Sequence, residues 1–109
     1  MYRSPGKNKK IIIMKTMYVY ILHCADDSYY VGVTNDVNRR FTEHTEGIHK
    51  ESYTYSRRPL QLVHFETFDG PNAAIAREKQ IKKWSRKKKI ALIENNIKNL
   101  EELAKKDFG

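Results

Sequence analysis

The sequence predicts an α+β fold, a three-stranded, mainly antiparallel sheet flanked by helices in the order ββαβαα, with room for a further C-terminal helix. Three observations carry this. First, Tyr18-Val19-Tyr20-Ile21-Leu22 and Tyr29-Tyr30-Val31-Gly32-Val33-Thr34 are aromatic and β-branched runs on either side of the turn-forming Ala25-Asp26-Asp27-Ser28, the pattern of a β-hairpin. Second, Leu60 to Phe68 alternates as a third strand. Third, apolar residues return at helical spacing at Ala74, Ile81 and Trp84, and again at Ile90, Ile93, Ile97, Leu100 and Leu103.

Strand alternation puts Tyr18, Tyr20 and Leu22 on one face of the first strand, and Tyr30 and Gly32 on one face of the second. A glycine inside a strand marks a place where something approaches the backbone closely, so Gly32 is read as structural. Asn35 or Asp36 can cap a helix from about Val37 to Thr45, which Gly47 stops. Residues 48–59 form a loop with a hydroxyl-rich, basic centre from Ser52 to Pro59. Asp69-Gly70-Pro71-Asn72 reads as a turn and cap before a helix from about Ala73 to Trp84. Ser85 can cap the next helix, from Arg86 to about Asn96. Ile75 and Arg77 fit the helical pattern poorly.

At 109 residues the chain is one domain with one modest core. Residues 17–97 are expected to hold it, with 98–109 as a helical tail. Residues 1–16 read as a disordered basic arm or an artefact of the start site, since Met14 and Met17 are alternative starts. No apolar run approaches the ~20 residues of a membrane span, and Ile11-Ile12-Ile13-Met14 is too short for a signal-peptide core. We therefore expect a cytoplasmic protein with no membrane partner. Cys24 is alone, which excludes a disulfide framework and a thiolate metal site; it is expected as a small buried hydrophobe.

The net charge of +8 is unevenly placed. Residues 1–16 hold five basic groups and no acid, and residues 77–90 hold eight against the single Glu78. Residues 17–76 and 91–109 are net acidic. Positive charge gathered in one helical segment and one tail favours a polyanionic partner, because neutralised phosphates release counterions. The other reading is a solvated lysine face.

Helical phase separates Arg39 from Arg40. Val37 and Phe41 define the buried stripe of the first helix. At about 100° per residue, Arg40 and His44 lie beside that stripe where the helix edge meets the sheet, while Arg39 and Glu43 point away. A guanidinium there can hold a phosphate with two parallel hydrogen bonds, and an imidazole one turn on can move a proton. Glu78 falls at the border of the face marked by Ala74, Ile81 and Trp84. A carboxylate so placed either binds a hard cation such as Mg²⁺ or pairs with Lys82 four residues on.

Taken together, these residues resemble the GIY-YIG nuclease superfamily, in particular its small stand-alone bacterial members, and are similar to the N-terminal domain of the excision-repair nuclease. Tyr18 to Leu22 matches the first motif, with Tyr18 and Val19 in place of its Gly and Ile. Tyr30-Val31-Gly32 matches the second with one conservative change. Residues 32–44 and 76–93 look like the same small subfamily. The resemblance covers about residues 17–93. It implies that Tyr20 and Tyr30 are the motif tyrosines, one of them activating the nucleophilic water. Arg40 is then the phosphate-binding arginine, His44 a group near the scissile phosphate, and Glu78 the single metal-binding carboxylate. Some relatives carry an Asn where this chain has Ile90.

The resemblance implies a Mg²⁺- or Mn²⁺-dependent endonuclease hydrolysing DNA, branched or single-stranded, in repair or recombination. Shape rather than sequence would direct it, since no sequence-reading module is appended. RNA stays open, as do protein partners. Backbone phosphates would be met by Arg57, Arg58, Lys79, Lys82, Lys83, Arg86 and Lys87. The alternative is a nucleic-acid-binding module of the same fold with weak or no catalysis.

Overall fold

A computed structural model describes residues 15–108. The expected basic arm lies outside the described residues except for Lys15 and Thr16, both exposed. Strands β1 (Met17–His23), β2 (Tyr29–Thr34) and β3 (Gln61–Phe68) form one sheet in the order β2-β1-β3, with both pairs antiparallel. Helices are α1 (Val37–Glu46), α2 (Pro71–Lys82) and α3 (Arg86–Phe108), and a 3₁₀ turn spans Tyr55–Arg57.

The β1–β2 turn closes as its composition requires. Asp27 takes φ 72°, a left-handed position that Asp tolerates better than most residues. The Ser28 hydroxyl and N–H both donate to Asp26 Oδ1, at 2.6 and 3.1 Å. Two arginines from distant elements then pin the turn. Arg57 Nε donates to Asp26 Oδ2 at 3.0 Å, and Arg86 reaches both the Asp27 carbonyl and, at 2.8 Å, its carboxylate.

One face of the sheet carries Val19, Ile21 and Val31, packed against Ala74, Ile81 and Ile93 of α2 and α3. Met17, Val33, Val63, Phe68 and Trp84 close the rim of this core. The opposite face carries Tyr20, Leu22 and Gly32. Cys24 is buried as expected, with 1 % exposure.

Capping sets the helix bounds. Asp36 caps α1, accepting from Arg39 N–H at 3.0 Å, and Gly47 ends it at φ 67° with the Arg58 guanidinium lying over the site of a side chain. Helix α2 starts two residues earlier than the sequence predicts. Pro71 sits in the first turn, where its fixed φ suits the helix and its missing N–H costs nothing. It ends at Lys82 rather than Trp84, and Ser85 then caps α3 through Lys88 N–H at 3.2 Å. Helix α3 runs on past Asn96 to Phe108 without a break, and its side chains from Glu94 to Asn99 are all exposed.

Arg77, out of phase with the apolar stripe, has a polar reason for its place. It donates to both oxygens of Glu66 on β3 at 2.8 and 3.1 Å, and its guanidinium lies 5.1 Å from the Trp84 ring centre. Burial alone would raise the Glu66 carboxyl; the hydrogen bonds from Arg77 and His64 outweigh it and hold Glu66 below the usual carboxylate range. Nothing in the structure explains Ile75, which is 40 % exposed. Among the described residues no helix is long and apolar enough to cross a membrane.

Gly32 pairs directly with Tyr20 in the β1–β2 register. A Cβ on Gly32 would lie 2.5 Å from Tyr20 Cζ and 2.9 Å from Cε2, so the backbone that the ring approaches has to be glycine. Gly32→Ala is therefore expected to cost about 1–3 kcal/mol by overpacking, read as a lower urea midpoint. Introduced into a Tyr20→Ala background, the same change should cost little. An equal loss in both backgrounds would show that the Tyr20 ring is not what forbids the side chain.

Candidate active site

The second sheet face meets α1 and the 48–59 loop around Tyr20, which is 2 % exposed. Its hydroxyl lies 2.9 Å from His44 Nε2, and His44 Nδ1 lies 2.8 Å from Thr54 Oγ1. Thr54 Oγ1 is in turn 3.0 Å from Ser52 Oγ. Tyr20, His44 and Thr54 are all buried. Tyr30 is half-buried, its ring 6.2 Å from that of Tyr20, 5.3 Å from His44 and 6.0 Å from Tyr53, on which it stacks.

These surroundings fix the charges. Desolvation, and then the neighbouring Arg40, push His44 down from 6.5 to about 4, so it is neutral near pH 7. Desolvation and the adjacent Tyr30 phenol push Tyr20 up to about 12, with Arg40 acting in the opposite direction. Tyr20 is therefore a phenol and not a phenolate at neutral pH, and it can accept a proton only while passing its own to His44.

Arg40 is half-buried beside this cluster. Its Nη1 donates to Glu43 Oε1 at 3.0 Å. Two sequence expectations change here. His44 lies inside rather than at the helix edge, with 4 % exposure, because the sheet beneath it offers a glycine and two phenols instead of bulky aliphatic side chains. Glu43 turns towards Arg40 instead of away, because a guanidinium one turn back draws a carboxylate across the helix surface. Arg39 stays exposed, as expected. Arg39, Arg40 and Glu43, with Lys15, Thr34 and Pro71, line an open cleft of about 610 Å³ at the β2 edge.

The Glu78 side chain is 18 % exposed, and Oε2 pairs with Lys82 Nζ at 2.9 Å. Tyr20, Tyr30, Arg40 and His44 come together, and among the described residues Glu78, on α2, makes no hydrogen bond to any of them. No three His, Cys, Asp or Glu side chains converge as a ready metal cage among the described residues. The donor set still fits one mode of binding. A single hard carboxylate can hold Mg²⁺ when waters and substrate phosphates complete the shell, provided that Lys82 swings aside.

The basic residues divide into two groups. Arg57 is committed to Asp26, to the Tyr53 carbonyl at 2.6 Å and to the Tyr53 ring at 3.7 Å. Arg58 donates to the Tyr55 carbonyl at 2.9 Å, and Arg86 is bound to Asp27 and lies over Tyr29. Planar guanidinium groups with several donors serve such internal bracing well. Lys79, Lys83 and Lys87 are exposed and make no ion pair among the described residues. Sequence reasoning names Ser52, Tyr53 and Thr54 only as members of a hydroxyl-rich loop. Their contacts to His44 and Tyr30 cross sequence gaps that no periodicity reports.

The depressed His44 value makes a stability forecast. Its contribution is complete above pH 6.5, the unfolded value, and is lost as pH falls from about 6.5 to about 4. Over that window the protein is expected to lose up to about 3 kcal/mol, measured by urea unfolding at several pH values. His44→Gln should flatten the slope between pH 6.5 and 4; an unchanged slope would assign the acid sensitivity to other groups.

Residues 16–91 match the family model described as the GIY-YIG catalytic domain. A UPF0213 protein of Haloquadratum walsbyi is 52 % identical over 77 residues, covering 71 % of this chain and 85 % of that protein. A UPF0213 protein of Syntrophus aciditrophicus is 46 % identical over 83 residues, covering 76 % of this chain and 95 % of its own length. The solution NMR structure of a UPF0213 protein from Bacillus halodurans is 40 % identical, covers 72 % of this chain and 83 % of that one, and superposes with a TM-score of 0.48. The chain therefore belongs to the GIY-YIG catalytic-domain family, a nuclease-type domain, and to its small stand-alone UPF0213 members.

Proposed function

We propose that this protein is a divalent-metal-dependent endonuclease that hydrolyses DNA phosphodiester bonds in the cytoplasm, directed by the shape of its substrate, in repair or recombination. The observation that carries the reading is the cluster of Tyr20, His44 and Tyr30 with Arg40 at its side, next to a cleft flanked by Arg39 and Lys15. Phenol, neutral imidazole and guanidinium at one place suit attack by water on a phosphate, since the phenol and imidazole can pass a proton while the guanidinium holds an oxygen.

In the mechanism, Arg40 exchanges its bond with Glu43 for a non-bridging phosphate oxygen, and the charge growing there in the transition state strengthens that contact. Glu43 is the built-in placeholder that keeps Arg40 aimed until substrate arrives. The attacking water lies against the Tyr20 and Tyr30 phenols. As it loses a proton to the Tyr20 oxygen, the Tyr20 hydroxyl proton passes to His44, whose low pKa keeps it neutral with the Nε2 lone pair free. Mg²⁺ or Mn²⁺ held by Glu78 would supply Lewis-acid stabilisation of the leaving oxygen.

Affinity comes from charge placed around the reacting groups. Lys79, Lys83 and Lys87 are available to backbone phosphates, and Lys82 joins them when it leaves Glu78. Arg86 and Lys89 border a second, smaller cleft with Ser28 and Tyr29 at the far end of β2 from the Arg40 cleft. Phosphate contacts of this kind position a strand without reading its sequence, and branched or single-stranded DNA, or RNA, can all present them. The second reading, a nucleic-acid-binding module with weak catalysis, is favoured by one observation, the closed Glu78–Lys82 pair.

Branched and single-stranded DNA incubated with the protein and Mg²⁺ or Mn²⁺ separates the two. We expect cutting that Glu78→Ala abolishes and that Arg40→Ala lowers by about 10²-fold or more, with DNA affinity kept within a few-fold. Cutting that survives both changes would remove these residues from the site. Binding without cutting by the native protein would establish the binding module. The affinity should also fall steeply between ~50 and ~200 mM salt; a flat response would rule out a phosphate-dominated interface.

A further inference from the structure

We propose that Thr54 is a positioning residue for His44, and that the Thr54 and Ser52 hydroxyls are the outlet of a proton relay that begins at the Tyr20 phenol. The purpose of the relay rests on the nuclease reading; its geometry does not.

Thr54 is 1 % exposed, and a hydroxyl so buried has to be satisfied by protein atoms. Its partners are His44 Nδ1 at 2.8 Å and Ser52 Oγ at 3.0 Å. The loop thus places a threonine against the one imidazole nitrogen that Tyr20 leaves free. Ser52 lies at the other end, half-exposed, beside Glu43, His49 and Tyr55. The chain of contacts leads from the buried phenol to the surface.

Hydrogen-bond inventory gives the chain one direction. Arg40 lies close enough to Tyr20 to lower its pKa and has no acceptor to offer, so the phenol proton is assigned to His44 Nε2, 2.9 Å away. An imidazole that accepts at Nε2 and is neutral carries its proton at Nδ1. That proton faces Thr54 Oγ1, and the Thr54 proton is left for Ser52 Oγ. The groups that face His44 are Tyr20 and Tyr30 from the sheet, Arg40 and Glu43 from α1, and Thr54 and His49 from the loop. Burial, Arg40 and His49 favour the neutral ring and together outweigh Glu43, which favours the charged one.

The transfer balances. Water gives a proton to the Tyr20 oxygen as its own oxygen bonds to phosphorus, the P–O bond to the leaving sugar oxygen breaks, and that oxygen takes a proton from solvent. The Tyr20 hydroxyl proton moves to Nε2, the Nδ1 proton moves to Thr54 Oγ1, the Thr54 hydroxyl proton moves to Ser52 Oγ, and a Ser52 proton leaves to solvent. Each side chain ends neutral and His44 ends as the other tautomer. No imidazolium has to persist in a buried site that disfavours it.

Two measurements on the full chain decide the matter. The first is turnover on a branched DNA with Mg²⁺. Thr54→Val, which removes the hydroxyl at nearly constant volume, should lower kcat by about 10–10²-fold with KM unchanged, while Thr54→Ser should stay near native. Equal losses in the two variants, or a native kcat in Thr54→Val, would overturn the relay. The second is ¹⁵N NMR of the His44 ring, which reads the tautomer whether or not the protein cuts DNA. Native protein should be protonated at Nδ1, and Thr54→Val should move population to Nε2. A native ring protonated at Nε2 would refute the direction of the relay even if cutting is observed. If Thr54→Val does not fold, Ser52→Ala, at a half-exposed position, should lower kcat by about tenfold with KM kept. A native kcat in Ser52→Ala would remove the outlet.

Discussion

Everything in the site takes its position from the contact between the Tyr20 ring and the backbone of Gly32. The two residues face each other across β1 and β2, and the missing side chain of Gly32 leaves the space that the ring fills. With the ring held there, the phenol oxygen sits under α1 rather than at a sheet edge. One buried phenol then calls for an acceptor, His44 supplies it, and His44 calls for Thr54. An unpaired polar group in such a place would cost about 1–3 kcal/mol, so each partner is needed once the previous one is buried. The polar half of this small domain is a chain of obligations that starts from one glycine.

That chain is enclosed by a scaffold that is braced electrostatically as much as by its core. The apolar cluster on the other sheet face is small, built on six buried residues from Val19 to Ile93. Arginines tie the remaining parts together: Arg57 holds the 48–59 loop to the β1–β2 turn, Arg86 holds α3 to the same turn, and Arg77 holds α2 to β3. The two exposed pairs, Arg57–Asp26 and Arg86–Asp27, are individually worth little, about 0–1 kcal/mol. Their value here is geometric. Each arginine also stacks on an aromatic ring, Tyr53, Tyr29 or Trp84, which fixes the plane of the guanidinium and with it the loop that it joins. The Arg57–Tyr53–Tyr30 stack extends this bracing to the wall of the site.

What was legible in the sequence, and what was not, follows from range. The hairpin, the cap at Asp36, the stop at Gly47 and the helical stripe through Ala74 and Ile81 are local patterns, and each appears within a residue or two of where the pattern puts it. The side of α1 that carries Arg40 and His44 follows from helical phase. How deeply His44 sinks does not, because that depends on Gly32 from another element. The role of the basic residues was hardest to read. A charge run carries no information on which cations are spent on internal acceptors, and Arg57, Arg58 and Arg86 are spent so while Lys79, Lys83 and Lys87 are not.

The carboxylates near the site are held in resting pairs, Glu43 with Arg40 and Glu78 with Lys82. Glu43, hydrogen-bonded to Arg40, raises the His44 pKa, but burial and the Arg40 charge each lower it by more and keep the ring neutral. Glu78 takes no part in that balance and rests paired with Lys82. Both resting pairs, Arg40–Glu43 and Lys82–Glu78, join side chains that are only partly buried, so each is cheap to break. Under the nuclease reading proposed above, a phosphate would replace Glu43 on Arg40 and a cation would replace Lys82 on Glu78, and giving up these two weak pairs would add little to the barrier against binding either.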